Sequence, residues 1–357
     1  MSTPAPRRPA WYRLRVSRVE PVADDTVAVT LAVPARLTAA FTAVPGQHVT
    51  VRHRPTAATE VRRPYSVCPP PAAPDTLRLV VRRRSPDGFG AHALTALAAG
   101  DELDVSPPAG RFTVPTGPAG HQVLIAGGTG ITPLAAMAQA ALRGRTDCRV
   151  SLVHAVRTSA TALLSDELAA LKDAFTDRFT VLYVLSRERH QSDLLTGRID
   201  AHRLRRLLTV LGARPEDTVF ALCGPLGLLE TARTALAAWG APPDRVRWET
   251  FSSDGTPPDT PAPHRAGPIK IVLDGRTTTV TMRPGDAVIL DALLRERAQA
   301  PYACRDGVCG SCRAKVVTGG VTTGHQHALD ADEVAAGYTL ACRARPSTPD
   351  LTLDFDT

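Results

Sequence analysis

The feature that most constrains this chain is a group of cysteines in its last quarter. Four of the seven cysteines fall there, namely Cys304, Cys309, Cys312 and Cys342. Gly307 and Gly310 lie between the first three, and their missing Cβ atoms allow the backbone to turn sharply enough to direct three thiolates at one point. The sequence therefore predicts one four-thiolate site, and it leaves Cys68, Cys148 and Cys223 as single cysteines.

The spacing C-x4-C-x2-C with a distant fourth cysteine is that of plant-type 2Fe-2S ferredoxins. A structural zinc site is the alternative, although zinc sites usually combine two short spacings and Cys342 has no such mate. The segments PYACRDGVCGSCRAKVVTGGV and GYTLACRARP resemble the ferredoxin domain of reductases that supply electrons to diiron or Rieske oxygenases. We therefore expect the four cysteines to bind a 2Fe-2S cluster.

The rest of the chain divides by pattern. Its 357 residues exceed the ~150 residues of a typical domain, which predicts two or three domains. Up to about residue 114, short alternating runs such as TVAVTLAV and TLRLVVRRR are typical of an antiparallel barrel or sandwich. From residue 121 to residue 251, strands such as HQVLIAGG alternate with amphipathic helices, which is typical of a parallel, doubly wound sheet. A stretch rich in Pro and Gly then indicates a linker.

Arg63, Pro64, Tyr65 and Ser66 form the motif R-P-Y-S at the end of a predicted barrel strand. An arginine can bind a pyrophosphate through two hydrogen bonds, a tyrosine ring can stack on an isoalloxazine ring, and a serine hydroxyl can hydrogen-bond flavin N5. A surface turn is the alternative for four residues alone. The motif lies directly before a nucleotide-type α/β block, however, and in this order it resembles the ferredoxin–NADP reductase superfamily.

This resemblance implies further flavin contacts. The ribityl chain and the phosphates would be contacted by Val80, Val81 and Arg82, and by the backbone N–H groups of a turn formed by Gly88, Phe89 and Gly90. The superfamily usually follows that turn with Ser or Thr, and Ala91 stands there instead, so FMN remains an alternative to FAD. Glu249 and Phe251 form an E-x-F pattern that lies near the flavin in relatives.

A strand, a glycine turn and a helix start follow one another in VLIAGGTGITP, from residue 123 to residue 133. Glycines let a dinucleotide approach the backbone, and a helix N-terminus favours its negative pyrophosphate. The run is not G-x-G-x-x-G, and a tight turn without a ligand is the alternative. It matches the same superfamily, which implies cofactor contacts from Gly128, Thr129, Gly130, Thr132 and Pro133.

Cys223, Gly224 and Pro225 end a predicted buried strand and precede a helix. A cysteine in such a place is often only a small apolar filler. In the resembled superfamily, C-G-P places the thiol beside nicotinamide C4 and the flavin. The resemblance therefore implies that Tyr65, Ser66 and Cys223 lie at the reacting rings, where hydride transfer needs alignment rather than a general base.

A hydroxyl and a guanidinium follow another predicted strand at Ser186 and Arg187, and Arg157 adds a second positive charge. This combination suits the 2′-phosphate of NADP, whereas NAD enzymes tend to place an acid on the ribose. The run S-R-E also resembles NADP-specific relatives. We expect NADPH as the electron donor, with NADH as the alternative.

Composition excludes several other classes. The net charge is +7, and the basic excess lies in the first two blocks, where nucleotide cofactors would bind. Aromatic residues make up only 4%, which is poor material for stacking nucleic-acid bases. No stretch approaches the ~20 apolar residues of a membrane span, and the first residues contain no signal-like apolar core. We expect a cytoplasmic protein that binds neither nucleic acid nor a membrane.

These expectations combine into one multidomain arrangement. The predicted order is an FAD-binding antiparallel β-barrel at 8–115, an NAD(P)-binding α/β parallel-sheet domain at 116–251, a linker at 252–267, and an α+β β-grasp ferredoxin domain at 268–357. The resemblance implies electron transfer from NADPH through FAD and the cluster to an oxygenase component, and its closest form is the reductase of phenylacetyl-CoA epoxidase systems. Alternatives are an NADH-dependent reductase of a Rieske or diiron ring hydroxylase, and a non-enzymatic zinc-binding interaction protein.

Overall fold

The computed structural model describes residues 10–56, 59–68, 75–86, 88–114, 120–252 and 267–357. Residues 253–266 of the predicted linker, and the predicted boundary at residue 115, lie outside these ranges. The chain forms two compact units. The larger contains Tyr12–Val61 and Tyr65–Phe251, and the smaller contains Ser252–Thr357 together with Trp11 and Arg62–Pro64.

The first part of the larger unit is a closed six-stranded barrel with the strand order β1-β2-β5-β4-β3-β6. Its elements are β1 (Tyr12–Ala23), β2 (Thr26–Ala32), α1 (Thr38–Phe41), β3 (His48–Thr56), β4 (Thr59–Cys68), β5 (Thr76–Arg82), α2 (Phe89–Thr95) and β6 (Glu102–Val105). Alternating side chains such as Leu14, Val29 and Leu79 point inwards and are fully buried. This alternation is what the sequence pattern predicted for an antiparallel barrel.

The second part is a five-stranded parallel sheet with the order β11-β10-β7-β8-β9. Its elements are β7 (His121–Gly127), α3 (Ile131–Gly144), β8 (Arg149–Val156), α4 (Ser165–Ala174), β9 (Phe179–Leu185), α5 (Ala201–Val210), β10 (Thr218–Cys223), α6 (Leu226–Ala238) and β11 (Val246–Glu249). Helices cover both faces, so the central strands β7 and β10 are buried along their whole length. The strand order makes β7 and β10 neighbours, with Ala126 opposite Cys223.

The smaller unit has a five-stranded sheet in the order β13-β12-β18-β14-β16 and a two-stranded sheet of β15 and β17. Its elements are β12 (Pro268–Leu273), β13 (Arg276–Thr281), α7 (Ile289–Glu296), β14 (Arg313–Thr318), β15 (Val321–Thr323), α8 (Ala331–Ala335), β16 (Tyr338–Leu340), β17 (Ala344–Pro346) and β18 (Thr352–Asp354). One apolar face of α7 packs into a core with β12 and β18. The predicted fold classes of all three parts are therefore confirmed.

Among the helices that the structure describes, none is both long and apolar enough to cross a membrane.

Candidate functional site

The R-P-Y-S motif lies on β4, in extended backbone. The ring of Tyr65 is half-buried and lies 5.7 Å from the ring of Phe89, measured between centroids. Ser66 is buried, and its Oγ has no hydrogen-bond partner among the residues that the structure describes. A buried hydroxyl without a partner carries a desolvation penalty that a bound ligand can remove. Ser66 therefore fits the predicted hydrogen bond to a flavin ring nitrogen.

The predicted phosphate-side residues lie where β5 ends and α2 begins. A Cβ on Gly90 would come within 2.5 Å of the carbonyl oxygen of Arg82, so only glycine fits this close approach. The Arg82 guanidinium donates from Nε to Asp25 Oδ2 at 2.7 Å. The side chain of Val81 packs in the barrel core, so only the backbone of Val81 is left to contact a cofactor. The side chain of Val80 packs in a separate core.

The glycine turn after β7 and the C-G-P turn after β10 are in direct contact. A Cβ on Gly130 would lie 2.0 Å from the carbonyl oxygen of Cys223, and a Cβ on Gly127 would lie 2.6 Å from Cδ of Pro225. A Cβ on Gly224 would approach Gly127 Cα to 2.9 Å. The packing of the two turns thus requires three glycines. Both turns lie at the carboxyl edge of the sheet, where ligands of such sheets bind.

Two side chains beside these turns are held uncharged. Cys223 is fully buried, and its burial raises the pKa of its thiol well above the usual value. The nearby Glu249 carboxyl raises this pKa further, as the smaller of the two causes. Burial raises the pKa of Glu249 to about 8. Its Oε2 has no hydrogen-bond partner within the described ranges. The two residues are paired in register on β10 and β11, and neither side chain adds a charge beside these turns at neutral pH.

A cleft of about 850 Å³ opens from this edge, inside the larger unit. Five of the predicted cofactor contacts line this cleft, namely Gly128, Arg157, Ser186, Arg187 and Pro225. It is also lined by Arg198, which the sequence did not single out.

Arg198 reaches the cleft because its segment pairs back onto β9. Thr196 forms a parallel bridge with Leu185, and the N–H of Gly197 donates to the Leu185 carbonyl at 2.8 Å. These contacts bring Arg198, eleven positions after Arg187 in the chain, to the same wall of the cleft. The only sequence signal was an arginine after a glycine, which by itself predicts no contact.

In the smaller unit, the four predicted ligand cysteines converge. Cys304 has the thiols of Cys309 and Cys342 as neighbours, and Cys342 also has that of Cys312. The thiols of Cys309 and Cys342 hold the pKa of Cys304 far below its usual value.

The loop around these cysteines depends on backbone that glycine favours. Gly307 and Gly310 have φ values of +73° and +70°, and Arg305 also adopts a left-handed conformation, with φ +60°. The N–H of Asp306 donates to Cys304 Sγ at 3.3 Å, and the Cys309 thiol contacts Ser311 Oγ at 3.3 Å. Four cysteine thiolates are the usual ligands of a 2Fe-2S cluster.

Three family descriptions match consecutive parts of the chain. They are "Oxidoreductase FAD-binding domain" over residues 13–114, "Oxidoreductase NAD-binding domain" over residues 124–234 and "2Fe-2S iron-sulfur cluster binding domain" over residues 271–347. They occur in the order that the sequence motifs predicted.

Curated relatives match over nearly the full length. The chain is 35% identical to one component of the 1,2-phenylacetyl-CoA epoxidase of Escherichia coli K12, over 97% of this chain and 98% of that protein. It is 33% identical to the ferredoxin reductase component of the 3-ketosteroid-9-alpha-monooxygenase of Rhodococcus rhodochrous, over 96% of each.

Among solved structures, phthalate dioxygenase reductase shares the fold with a TM-score of 0.63 at 24% identity, over 96% of this chain and 98% of that one. An intact type IV self-sufficient cytochrome P450 monooxygenase matches with a TM-score of 0.68 at 27% identity, over 96% of this chain and 41% of that one.

Fold and sites thus define an oxidoreductase with FAD, nicotinamide and 2Fe-2S domains. The chain belongs to the ferredoxin–NADP reductase superfamily, in the group of reductase components that carry a C-terminal 2Fe-2S domain. The predictions of an FAD-binding domain, a nicotinamide-binding domain and a 2Fe-2S domain are confirmed.

Proposed function

We propose that this chain transfers electrons from NADPH through FAD and the 2Fe-2S cluster to a cytoplasmic oxygenase of the phenylacetyl-CoA epoxidase type. The observation that carries the proposal is the match to a component of the Escherichia coli epoxidase, which covers 97% of this chain and 98% of that protein. A component with all three cofactor domains can accept a hydride at one end and supply single electrons at the other. The oxygenase substrate would bind elsewhere, on the partner.

The bound flavin would supply the conversion of one hydride into two single electrons. On this proposal, Arg63 binds the flavin pyrophosphate, Tyr65 covers the ring and Ser66 Oγ hydrogen-bonds it. Cys223 and Glu249 keep the nicotinamide pocket uncharged, because burial holds both protonated at neutral pH. Alignment of the two rings then governs hydride transfer, without a general base.

The preference for NADPH rests on three exposed guanidiniums that line one cleft, those of Arg157, Arg187 and Arg198. Guanidinium groups match phosphate oxygens in two-pronged hydrogen bonds, and each adds charge attraction. The acid in the same segment, Glu188, accepts hydrogen bonds from Ser159 at 2.8 Å and 2.9 Å. Glu188 is therefore engaged by the neighbouring loop rather than free to bind a ribose hydroxyl.

A reconstituted assay tests the partner. Purified reductase is mixed with the oxygenase components of a phenylacetyl-CoA epoxidase, NADPH and phenylacetyl-CoA, and epoxide formation is measured against NADPH oxidised. The proposal expects epoxide formation that depends on the reductase. The 33% identity over 96% of the chain to a steroid monooxygenase reductase makes a ring hydroxylase the second candidate. Product from a ring hydroxylase with no product from the epoxidase would replace the first candidate with the second.

A further inference from the structure

His154 is a buried histidine whose role the sequence motifs do not assign. It lies on β8, beside Ala126 of β7 and beside Tyr183 of β9. Its side chain is fully buried, and its imidazole Nε2 lies 3.2 Å from the carbonyl oxygen of Gly128 in the glycine turn. Gly128 lines the cleft, so the buried ring of His154 is hydrogen-bonded to a backbone carbonyl of the proposed cofactor site.

The hydrogen bond fixes which ring nitrogen carries a proton. A carbonyl oxygen only accepts, so Nε2 must carry a proton, and in the neutral ring Nδ1 is then bare. Burial lowers the pKa of His154 to about 4, which keeps the ring neutral over the physiological range. Nδ1 has no hydrogen-bond partner among the described residues. The His154 ring therefore keeps the hydrogen bond from Nε2 to Gly128, and its Nδ1 accepts none from the described residues.

The turn that His154 supports has an unusual conformation. Gly128 has φ +53°, and apart from its two chain neighbours no residue has an atom within 4 Å of the place where its Cβ would be, so this side of the turn is open. Its carbonyl accepts two hydrogen bonds, one from the N–H of Ile131 and one from His154. Because the Ile131 N–H is engaged by this carbonyl, the N–H groups of the turn before Ile131 are the ones left for an anion, since the first residues of a helical turn have no internal partners for them.

We propose that His154 is a positioning residue for the dinucleotide, which holds the Gly128 turn in the conformation that binds the cofactor phosphates. The inference rests on the proposed role of this turn as the phosphate site. It assigns His154 no contact with the cofactor and no proton transfer.

Three substitutions separate the hydrogen bond from the shape of the ring. His154→Phe keeps a ring and removes the donor, and His154→Gln keeps an N–H near the position of Nε2. His154→Asn reaches only the position of Nδ1. The matched control is His121→Phe, because His121 is also a buried histidine on this sheet but lies at the first residue of β7, at the opposite edge, where it contacts Ser151 and Arg149.

The measurement is the Kd of NADP⁺ and of NAD⁺ for the flavin-loaded protein, together with KM and kcat for the reduced nucleotides. Removal of one neutral hydrogen bond should raise Kd and KM ~3–10-fold with little change in kcat, and His154→Gln should stay within ~2-fold of the parent. His121→Phe should leave both constants unchanged. A purely structural role would lower the thermal midpoint without this split between KM and kcat.

The inference is overturned if His154→Phe binds the dinucleotide as the parent does, or if His154→Gln is as weak as His154→Phe. If His154→Phe does not fold, the comparison moves to the other two variants, and His154→Asn must bind more weakly than His154→Gln. A parent protein that binds neither NADP⁺ nor NAD⁺ would instead contradict the proposed phosphate site itself.

Discussion

Replacing Arg187 by glutamine tests the proposed preference for NADPH. Arg187 is exposed at the wall of the cleft, next to Ser186 and on the same wall as Arg198. A hydrogen bond to a charged group contributes about 1.5–3 kcal/mol, and exposure to water places Arg187 at the low end of that range. Since each 1.4 kcal/mol is a factor of ten, kcat/KM for NADPH should fall ~10-fold or somewhat more.

The kcat/KM of the Arg187→Gln variant for NADH should equal that of the parent, because NADH has no 2′-phosphate for the guanidinium to bind. The assay is steady-state reduction of a dye with each nucleotide at low and at moderate salt, and the NADPH effect should shrink as salt screens the charges. Arg189→Gln is the matched control, since Arg189 is an exposed arginine two residues further on that does not line the cleft. Equal losses with NADPH and NADH would refute the reasoning, as would an equal loss in the control.

Three further predictions concern the flavin and nicotinamide sites. Ser66→Ala should leave the thermal midpoint of the flavin-free protein unchanged, because Oγ has no partner among the described residues, but should raise the Kd of FAD ~3–10-fold; an unchanged Kd would contradict the assigned hydrogen bond. Gly130→Ala should destabilise by about 1–3 kcal/mol in urea denaturation, because its Cβ would overlap the Cys223 carbonyl, whereas Gly144→Ala, with nothing within 4 Å, should not. Glu249→Gln should change the pH dependence of stability. Burial raises the pKa of Glu249 from 4.5 to about 8 in the folded protein, so the parent loses stability as the pH rises from 4.5 to 8. The free energy of unfolding of the variant, measured by denaturation at pH 5 and at pH 8, should not show this loss.

The sequence predicted the features that depend on local pattern. The cysteine spacing and its two glycines indicated a cluster loop, and Gly307 and Gly310 do adopt the left-handed backbone that such a loop requires. The alternation of strands and helices indicated a parallel sheet, and the order of the blocks indicated the order of the domains. In each case the information lies in spacing and order along the chain, so no tertiary contact had to be known.

The features that the sequence did not indicate depend on tertiary contacts. Arg198 joins the cleft only because its segment pairs with the end of β9. His154 contacts Gly128 across 26 positions of sequence because β7 and β8 are neighbours in the sheet. Arg82 was expected near the flavin phosphates, and its ion pair with Asp25 joins residues far apart in the chain. Neither a periodicity nor a motif encodes which of many arginines and histidines make such contacts.

The most direct test of the central claim is an anaerobic titration of the purified protein with NADPH, followed by visible absorption and electron paramagnetic resonance. The account predicts stoichiometric FAD and iron, loss of the flavin absorption on addition of NADPH, and the signal of a reduced 2Fe-2S cluster that disappears in a Cys342→Ser variant. A colourless protein with stoichiometric zinc, or a flavin that NADPH reduces while the cluster stays oxidised, would contradict it.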